Sequence, residues 1–515
     1  MLRGRTSAPI LAVDRMLSQS AIAKYNFMLQ NRDKIGVSGL DELLGGGFIP
    51  NRAYLVRGGP GSGKTTLGLH FLATGSRLSQ PGLFITLGES AEQIRAQAED
   101  LGLDISYVEF LDLSPSSEFF TEVQTYDIFS PAEVEQEPTT RSIIETVERL
   151  QPKRIFLDAM TQFRYLATDA FGYRKQVLSF IRFLIGGGAT VLFTSESSPE
   201  APDDDLQFIS DGVIHIGLLQ QGRAIAITKF RGSDFRDGYH SLRLTHTGME
   251  VYPRLQPGER HREFVPETIS SGIPALDELL HGGLERGTVT IISGPSGVGK
   301  TTVGLQFMKE AAGRGERSVV YTFEEEPEIL LRRCESINIP ARAMVGRGTL
   351  SVIKVEPLQY VVDEFAQLVR EEAEIQNARI VMIDSIAGYR LSLRGGDLIP
   401  SVHALCKYLA NMGVTVLLID EVATVAEEFR ASDVGITYLA DNFVFMRYWE
   451  RSIDSVSEVR KGIGVLKKRL SDFEKTLREI EITRYGLKVG QPMPGLQGIL
   501  SAAPRFVKSD DRSEY

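Results

Sequence analysis

Two stretches of the chain end a glycine-rich run with a lysine and a hydroxyl. They are Gly58-Gly59-Pro60-Gly61-Ser62-Gly63-Lys64-Thr65 and Gly294-Pro295-Ser296-Gly297-Val298-Gly299-Lys300-Thr301. Both fit the pattern G-x-x-x-x-G-K-[ST]. Glycines let the backbone curl until several N–H groups face one anion, at the positive end of the following helix. The lysine then reaches the β/γ-phosphates and the threonine hydroxyl is a ligand for Mg²⁺. The phosphate contacts expected in the first stretch are Gly59, Gly61, Ser62, Gly63, Lys64, Thr65 and Thr66. In the second they are Gly294, Ser296, Gly297, Val298, Gly299, Lys300, Thr301 and Thr302. One such match could be a glycine-rich turn that binds nothing; two in register, each between an apolar strand and a helix, predict two nucleotide sites taking ATP and Mg²⁺.

Acids follow at regular places. Asp158 and Asp384 close the apolar runs "RIFLD" and "IVMID". A carboxylate at the C-terminal end of a strand, beside a phosphate loop, is placed to hold Mg²⁺ through water. Thr65, Asp158, Thr301 and Asp384 are therefore the expected metal ligands. A third acidic feature is "YTFEEEP" at 321–327. Carboxylates stacked at a strand end repel one another, but a nucleotide-hydrolysing site gives them a use. Something must orient water and draw its proton as the γ-phosphate departs. Glu324 and Glu325 are the candidates for base and supporting carboxylate, and Glu326 is expected to face solvent as a helix cap. The first copy reads "TLGES", with Gly88 in the place of Glu324 and only Glu89 retained. The two sites are expected to be catalytically unequal.

These residues recur because the chain is written twice. "IGVSGLDELLGGGFIPNRAYLVRGGPGSGKTTLGLHF" (35–71) matches "IPALDELLHGGLERGTVTIISGPSGVGKTTVGLQF" (273–307). Downstream, "GLFITLGES" pairs with "SVVYTFEEE", "KRIFLDAMT" with "RIVMIDSIA", and "ATVLFTSES" with "VTVLLIDEV". Strands such as "RIVMI" and "TVLLI" are apolar throughout, as parallel strands buried on both faces are. They alternate with amphipathic segments such as "RSIIETVERL" and "YVVDEFAQLVREEAEIQ". The expected architecture is α/β, a mostly parallel sheet flanked by helices, present twice. "YPRLQPGERHREFVPE" (252–267), with three prolines, reads as a linker. The expected domains are 34–251 and 268–497, with an N-terminal extension over 1–33 and a tail over 498–515.

With 515 residues, two or three domains are expected. The net charge of −10 disfavours non-specific attraction to nucleic acid or anionic lipid. Cys334 and Cys406, far apart, fit a reducing cytoplasm rather than a disulfide framework. The first twenty residues hold no apolar core of signal-peptide length, and no run approaches a membrane span. A cytoplasmic protein is expected.

Together these residues resemble the KaiC family, ATPases and autokinases of the circadian clock. The likeness runs from about Ile35 to about Arg505, on the "GIPALDELLHGG" entry, both phosphate loops, the "FEE" strand and the closing "GILSAAPR". It implies two stacked RecA-like domains, a homo-hexameric double ring with ATP held between neighbouring subunits, paired glutamates as bases, and a KaiB-like regulatory partner. It also implies that a K-x-R-G motif late in each domain reaches the γ-phosphate of the adjacent subunit. "KFRG" gives that role to Lys229 and Arg231; "KKRL" gives it to Lys467 and Arg469, with Leu470 in the glycine's place. Autophosphorylation in the second domain is implied too. Aligning "ASDVGITYLADNFVFMRYWE" (431–450) puts Thr437 and Tyr438 at the acceptor pair and Ser432 nearby, so Thr437 and Ser432 are the candidate phosphoacceptors. The implied role is signalling or timekeeping.

Two further readings stay open. One is a RecA- or helicase-like DNA motor, against which the acidic composition and the lack of a basic, aromatic-studded loop count. The other is a nucleotide-gated scaffold with a weakly active first domain, motivated by Gly88.

Overall fold

The apolar runs form strands, and the amphipathic segments between them form the helices that cover both faces. In the computed structural model the described residues are 32–114, 131–166, 170–196, 202–219, 222–356, 358–392, 398–422, 436–453, 456–493, 496–497 and 505–506. The chain divides between Pro253 and Arg254 into two compact units.

The first unit is built on β1 (Ala53–Arg57), β2 (Gly82–Thr86), β3 (Val108–Asp112), β4 (Arg154–Asp158), β5 (Thr190–Ser195), β6 (Gly212–Leu219), β7 (Gly222–Phe230), β8 (Tyr239–Thr245) and β9 (Gly248–Tyr252). They form one nine-stranded sheet in the order β3-β2-β4-β5-β1-β6-β7-β8-β9. The strands from β3 across to β6 run parallel, and β7, β8 and β9 extend the sheet antiparallel to one another. The second unit opens with a short ribbon, β10 (Thr268–Ile269) and β11 (Leu284–Glu285). Its sheet comprises β12 (Val289–Gly294), β13 (Arg317–Thr322), β14 (Leu350–Lys354), β15 (Ala378–Asp384), β16 (Thr415–Glu421), β17 (Asn442–Ile453), β18 (Val456–Lys468), β19 (Arg478–Thr483) and β20 (Gly486–Pro492). The order β14-β13-β15-β16-β12-β17-β18-β19-β20 repeats that of the first sheet. Two mostly parallel, helix-flanked sheets of one topology are the expected tandem RecA-like architecture.

Successive residues of a strand point to opposite faces, and both faces here are dry. Ile291, Val319, Tyr321, Val381, Ile383, Val416 and Leu418 join one core cluster. Their neighbours Ile292, Val320, Ile380, Met382, Leu417 and Ile419 join the other. The segment "RSIIETVERL" closes the helix Pro131–Leu150, and Val362–Glu374 is helical as its period predicts. Among the described residues no helix is long and apolar enough to cross a membrane.

The helix after each phosphate loop presses its glycine against the sheet. A Cβ on Gly68 would stand 2.2 Å from the Phe156 ring, and one on Gly304 would stand 2.4 Å from Met382 Sδ. Phe156 is fully buried, its ring 4.9 Å edge-on from that of Phe84, so it has nowhere to turn. Met382 has a flexible thioether that can yield. Alanine ordinarily favours a helix over glycine; here overpacking reverses that. Gly68→Ala is expected to destabilise the first unit by about 2 kcal/mol, and Gly304→Ala the second by less than half as much. Urea titration separates the two, because the only tryptophan, Trp449, lies in the second unit. Its fluorescence transition should barely move in Gly68→Ala, while the far-ultraviolet circular-dichroism transition of the first unit shifts to lower urea.

Candidate functional site

The phosphate-loop, strand-end and acidic residues singled out in the sequence gather at the carboxyl ends of the parallel strands. There the strand-to-helix connections leave backbone N–H groups open to a ligand. The chain leaves β12 at Gly294, rounds the loop and enters the helix Lys300–Gly313. Gly299 precedes that helix with φ of 117°, and Gly63 stands equivalently with φ of 106°. Only glycine adopts this left-handed backbone cheaply, and a Cβ on Gly299 would also fall 2.5 Å from Ile482 Cδ1. Lys300 Nζ donates to the carbonyls of Gly294 (2.8 Å) and Pro295 (2.9 Å). Lys64 Nζ does the same to Gly58 (2.8 Å) and Gly59 (3.0 Å). Both ammonium groups are thus held in the hollow of their own loops. Burial pulls the Lys300 pKa below its usual value, against the opposing charges of Glu421, Asp384, Asp420 and Glu324. The buried Ser62 hydroxyl has no protein partner, an orphan that a phosphate oxygen would satisfy.

The expected metal ligands are also brought together. Thr301 Oγ1 donates to Asp384 Oδ2 at 2.7 Å, and Thr65 Oγ1 to Asp158 Oδ2 at 2.6 Å. Burial holds the Asp384 carboxyl above the ordinary carboxylate range, although Thr301, Arg333 and Lys300 pull it down. A carboxylate and a hydroxyl beside a phosphate cradle form an all-oxygen donor set, which suits Mg²⁺. Among the described residues no group of three or more His, Cys, Asp or Glu could hold a metal alone. Phosphate oxygens and water would have to complete the shell, as Mg²⁺ commonly requires.

In the second unit these groups line a cavity of about 500 Å³ together with Glu324, Glu325, Arg333, Ser385, Glu421 and Lys461. Backbone bonds fix where the acids stand. Phe323 N donates to the Asp384 carbonyl, and Leu87 N to that of Asp158, so Glu324 and Gly88 occupy the same place in the two units. Ser385 Oγ donates to Glu324 Oε1 at 3.0 Å. Arg333 grips Glu325 with Nε at 3.1 Å and Nη2 at 2.7 Å. Glu326 stands at the N-cap position of Pro327–Ser336 but makes no side-chain cap bond. Its exposed carboxylate pairs instead with Lys354 at 3.3 Å, which corrects the expected capping role.

The lysine–arginine pairs are not brought to the nucleotide cavity of their own unit. β18 pairs antiparallel with β17, placing Lys461 beside Tyr448 and Lys467 beside Phe443. β17 runs parallel to β12, with Phe443 level with Ile291 near the foot of the sheet. Six residues of strand put Lys467 roughly 20 Å from Lys461. At that far end Lys467 Nζ donates to the Ala440 carbonyl, and Arg469 pairs with Asp441 at 2.9 Å. In the first unit Lys229 Nζ donates to the carbonyls of Gln207 (2.6 Å) and Phe208 (3.2 Å), and Arg231 Nη2 to Phe208 (3.4 Å). Of the candidate acceptors, Ser432 lies outside the described residues, and Thr437 is half-buried in the turn Thr437–Leu439. Tyr438 is exposed and lines a second cavity of about 430 Å³, at the foot of the sheet, with His403, Lys407, Asp441 and Arg469.

Sequence reasoning missed Ser385, Arg333, Glu421 and Lys461. The last had a signal. Lys461 donates to the Gly297 carbonyl at 2.9 Å, and Arg223 to the equivalent Gly61 carbonyl at 3.4 Å. Each cation stands six residues before its K-x-R, so the repeat itself marked the position.

A family model described as "ATPase: KaiC" matches residues 34–256 and again 269–493. The chain is also similar to circadian clock oscillator proteins named KaiC. It is 25% identical over 498 residues to that of Parasynechococcus marenigrum, covering 93% of this chain and 94% of the relative. It is 24% identical over 524 residues to that of Synechococcus elongatus, covering 99% and 97%. With that of a Picosynechococcus species it shares 26% over 494 residues, 93% of each.

The tether from β18 makes a binding prediction. Lys461→Met frees the loop carbonyl and should weaken ATP binding to the second site by about fivefold, the worth of one hydrogen bond. Lys461→Arg, which copies Arg223, should retain affinity. Fluorescent-nucleotide titration of each variant reads both.

Proposed function

The chain belongs to the KaiC family of ATPases, and from that premise we propose that it hydrolyses ATP chiefly in the second of its domains, 34–251 and 268–497. The observation that carries this is the gathering of Lys300, Thr301, Asp384, Glu324 and Glu325 around one cavity, where the first unit has Gly88 in the place of Glu324. Lys300 holds the triphosphate. Thr301 and Asp384 would hold Mg²⁺, which would supply positive charge to offset that of the triphosphate. Glu324 takes the proton of the attacking water as the oxygen bonds to the γ-phosphorus and the β–γ bridge breaks, releasing ADP and phosphate. In the first unit Lys64, Thr65 and Asp158 hold ATP and its metal, and Glu89 remains as a lone carboxylate, a site fitted more to binding than to turnover.

The remote lysine–arginine pairs support a homo-oligomer as the functional unit, a hexamer by the family resemblance. Lys229 and Arg231, and Lys467 and Arg469, supply charge to the γ-phosphate held by an adjacent subunit. Arg469 shares its cavity with Tyr438, next to Thr437, which supports reading Thr437 as an acceptor hydroxyl on the face turned to a neighbour's nucleotide. Autophosphorylation of Thr437 or Ser432 uses the same base and metal, with the hydroxyl in the place of water. Buried free thiols at Cys334 and Cys406 suit a reducing cytoplasm. Kinship with clock proteins suggests a signalling or timekeeping role, with a KaiB-like protein as regulator.

Glu324→Gln is expected to slow turnover by roughly 10²- to 10³-fold while ATP binding and assembly persist. Unchanged hydrolysis in that variant would remove Glu324 as the base. Lys300→Ala should abolish most hydrolysis, and Lys64→Ala should spare it while weakening the oligomer seen by light scattering. If Lys64→Ala abolishes hydrolysis and leaves the oligomer intact, the division of labour is wrong. Intact mass after incubation with ATP should show one added phosphate mapping to Thr437 or Ser432; no added mass would leave a pure ATPase.

A further inference from the structure

The first unit differs from the second at more than Gly88. The register that aligns Glu325 with Glu89 aligns Arg333 with Gln97, and Ser385 with Ala159. The whole apparatus around the paired acids is therefore confined to the second unit. Its parts make unequal contacts. Arg333, on the helix Pro327–Ser336, meets Glu325 through two nitrogens, one to each carboxylate oxygen. Such a fork fixes a carboxylate in plane as well as in place. Although burial lowers the Arg333 pKa, its bonds and charge contact with Glu325 carry it above the usual value. Among the described residues Glu324 is held on one oxygen, by Ser385, whose own Oγ is anchored by Gly388 N at 3.2 Å. Glu324 thus keeps an oxygen for water.

We infer that Arg333 is a positioning residue of the second site: by pinning Glu325 it sorts the two glutamates, leaving Glu324 as the base and Glu325 as a fixed support. This rests on the hydrolytic reading above. Without Arg333, two carboxylates side by side compete for the same water and the same proton, and small misplacements at a reacting centre are costly. Arg333 acts on the reaction through Glu325, and the triphosphate is left to Lys300.

Steady-state ATP hydrolysis by the full-length protein tests this through Arg333→Gln, Glu325→Gln and the double variant, with Glu324→Gln setting the floor. Arg333→Gln should lower kcat by roughly tenfold with KM for ATP unchanged. Arg333→Lys, able to hold one oxygen, should recover part of the loss. The double variant should be no slower than Glu325→Gln alone, because the arginine works only through that partner. Thermal unfolding and nucleotide stoichiometry show that each variant is folded and loaded. A raised KM at unchanged kcat would make Arg333 a phosphate ligand instead. Losses that multiply in the double variant, or full activity of Arg333→Gln, would also overturn the assignment. Should Glu324→Gln alone retain full turnover, the hydrolytic reading fails, whereas the Arg333–Glu325 coupling is still read from the cycle.

Discussion

Lys461 and Lys467 lie on one strand, and an extended strand cannot fold back on itself. The first touches the phosphate loop; the second lies at the foot of the same sheet, joined to Ala440. Roughly 20 Å of backbone separates them. The same division holds in the first unit, where Arg223 reaches the loop and Lys229 caps carbonyls at the other end. A parallel sheet forces this split. Its connections give all phosphate-binding turns to one edge, so charge carried by the opposite edge does not reach the phosphate loop of its own unit. Strand direction therefore sets Lys467 and Arg469 apart from the acidic cavity of their own unit.

Within each half-site the chemistry is dominated by packing unlike charges where water is scarce. Lys300 and Asp384 are both buried, and burial pushes each toward its neutral form. What keeps such a cluster tolerable is that three of its carboxylates have a designated partner: Thr301 for Asp384, Ser385 for Glu324, Arg333 for Glu325. The first unit keeps the lysine, the threonine and the strand-end aspartate but has Gly88, Gln97 and Ala159 where the second has Glu324, Arg333 and Ser385. Those substitutions fall together. The Ser385 and Arg333 side chains bond to Glu324 and Glu325, so their replacements by Ala159 and Gln97 go with Gly88.

How much of this could be read from residues alone follows from the range of each interaction. The phosphate loops were fully legible, because a backbone that must curl around an anion admits only glycine at Gly63 and Gly299. The sheet was legible from apolar runs buried on both faces, and Asp158 and Asp384 from their place at strand ends. Arg333 was not, since an arginine on an amphipathic helix is usually a solvated residue, and only the turn after β13 swings Glu325 beneath it. Glu326 shows the opposite failure: its position before Pro327 was read correctly, but Lys354 on the adjacent strand claimed the carboxylate. Ser385 was hidden because its partner lies across the sheet on the connection after a different strand. Local pattern specified the backbone; the choice between competing partners was made by tertiary proximity.

β18 has one more property worth drawing out. It is thirteen residues long, zipped to β17 along its length, and it bears Lys461 near its middle and Lys467 near its end. It joins the phosphate loop, through Lys461, to the foot of the sheet, through Lys467, by one stretch of paired backbone. A shift of the phosphate loop, passed on through Lys461, would reach Lys467 along backbone whose pairing slips once, beside Phe443.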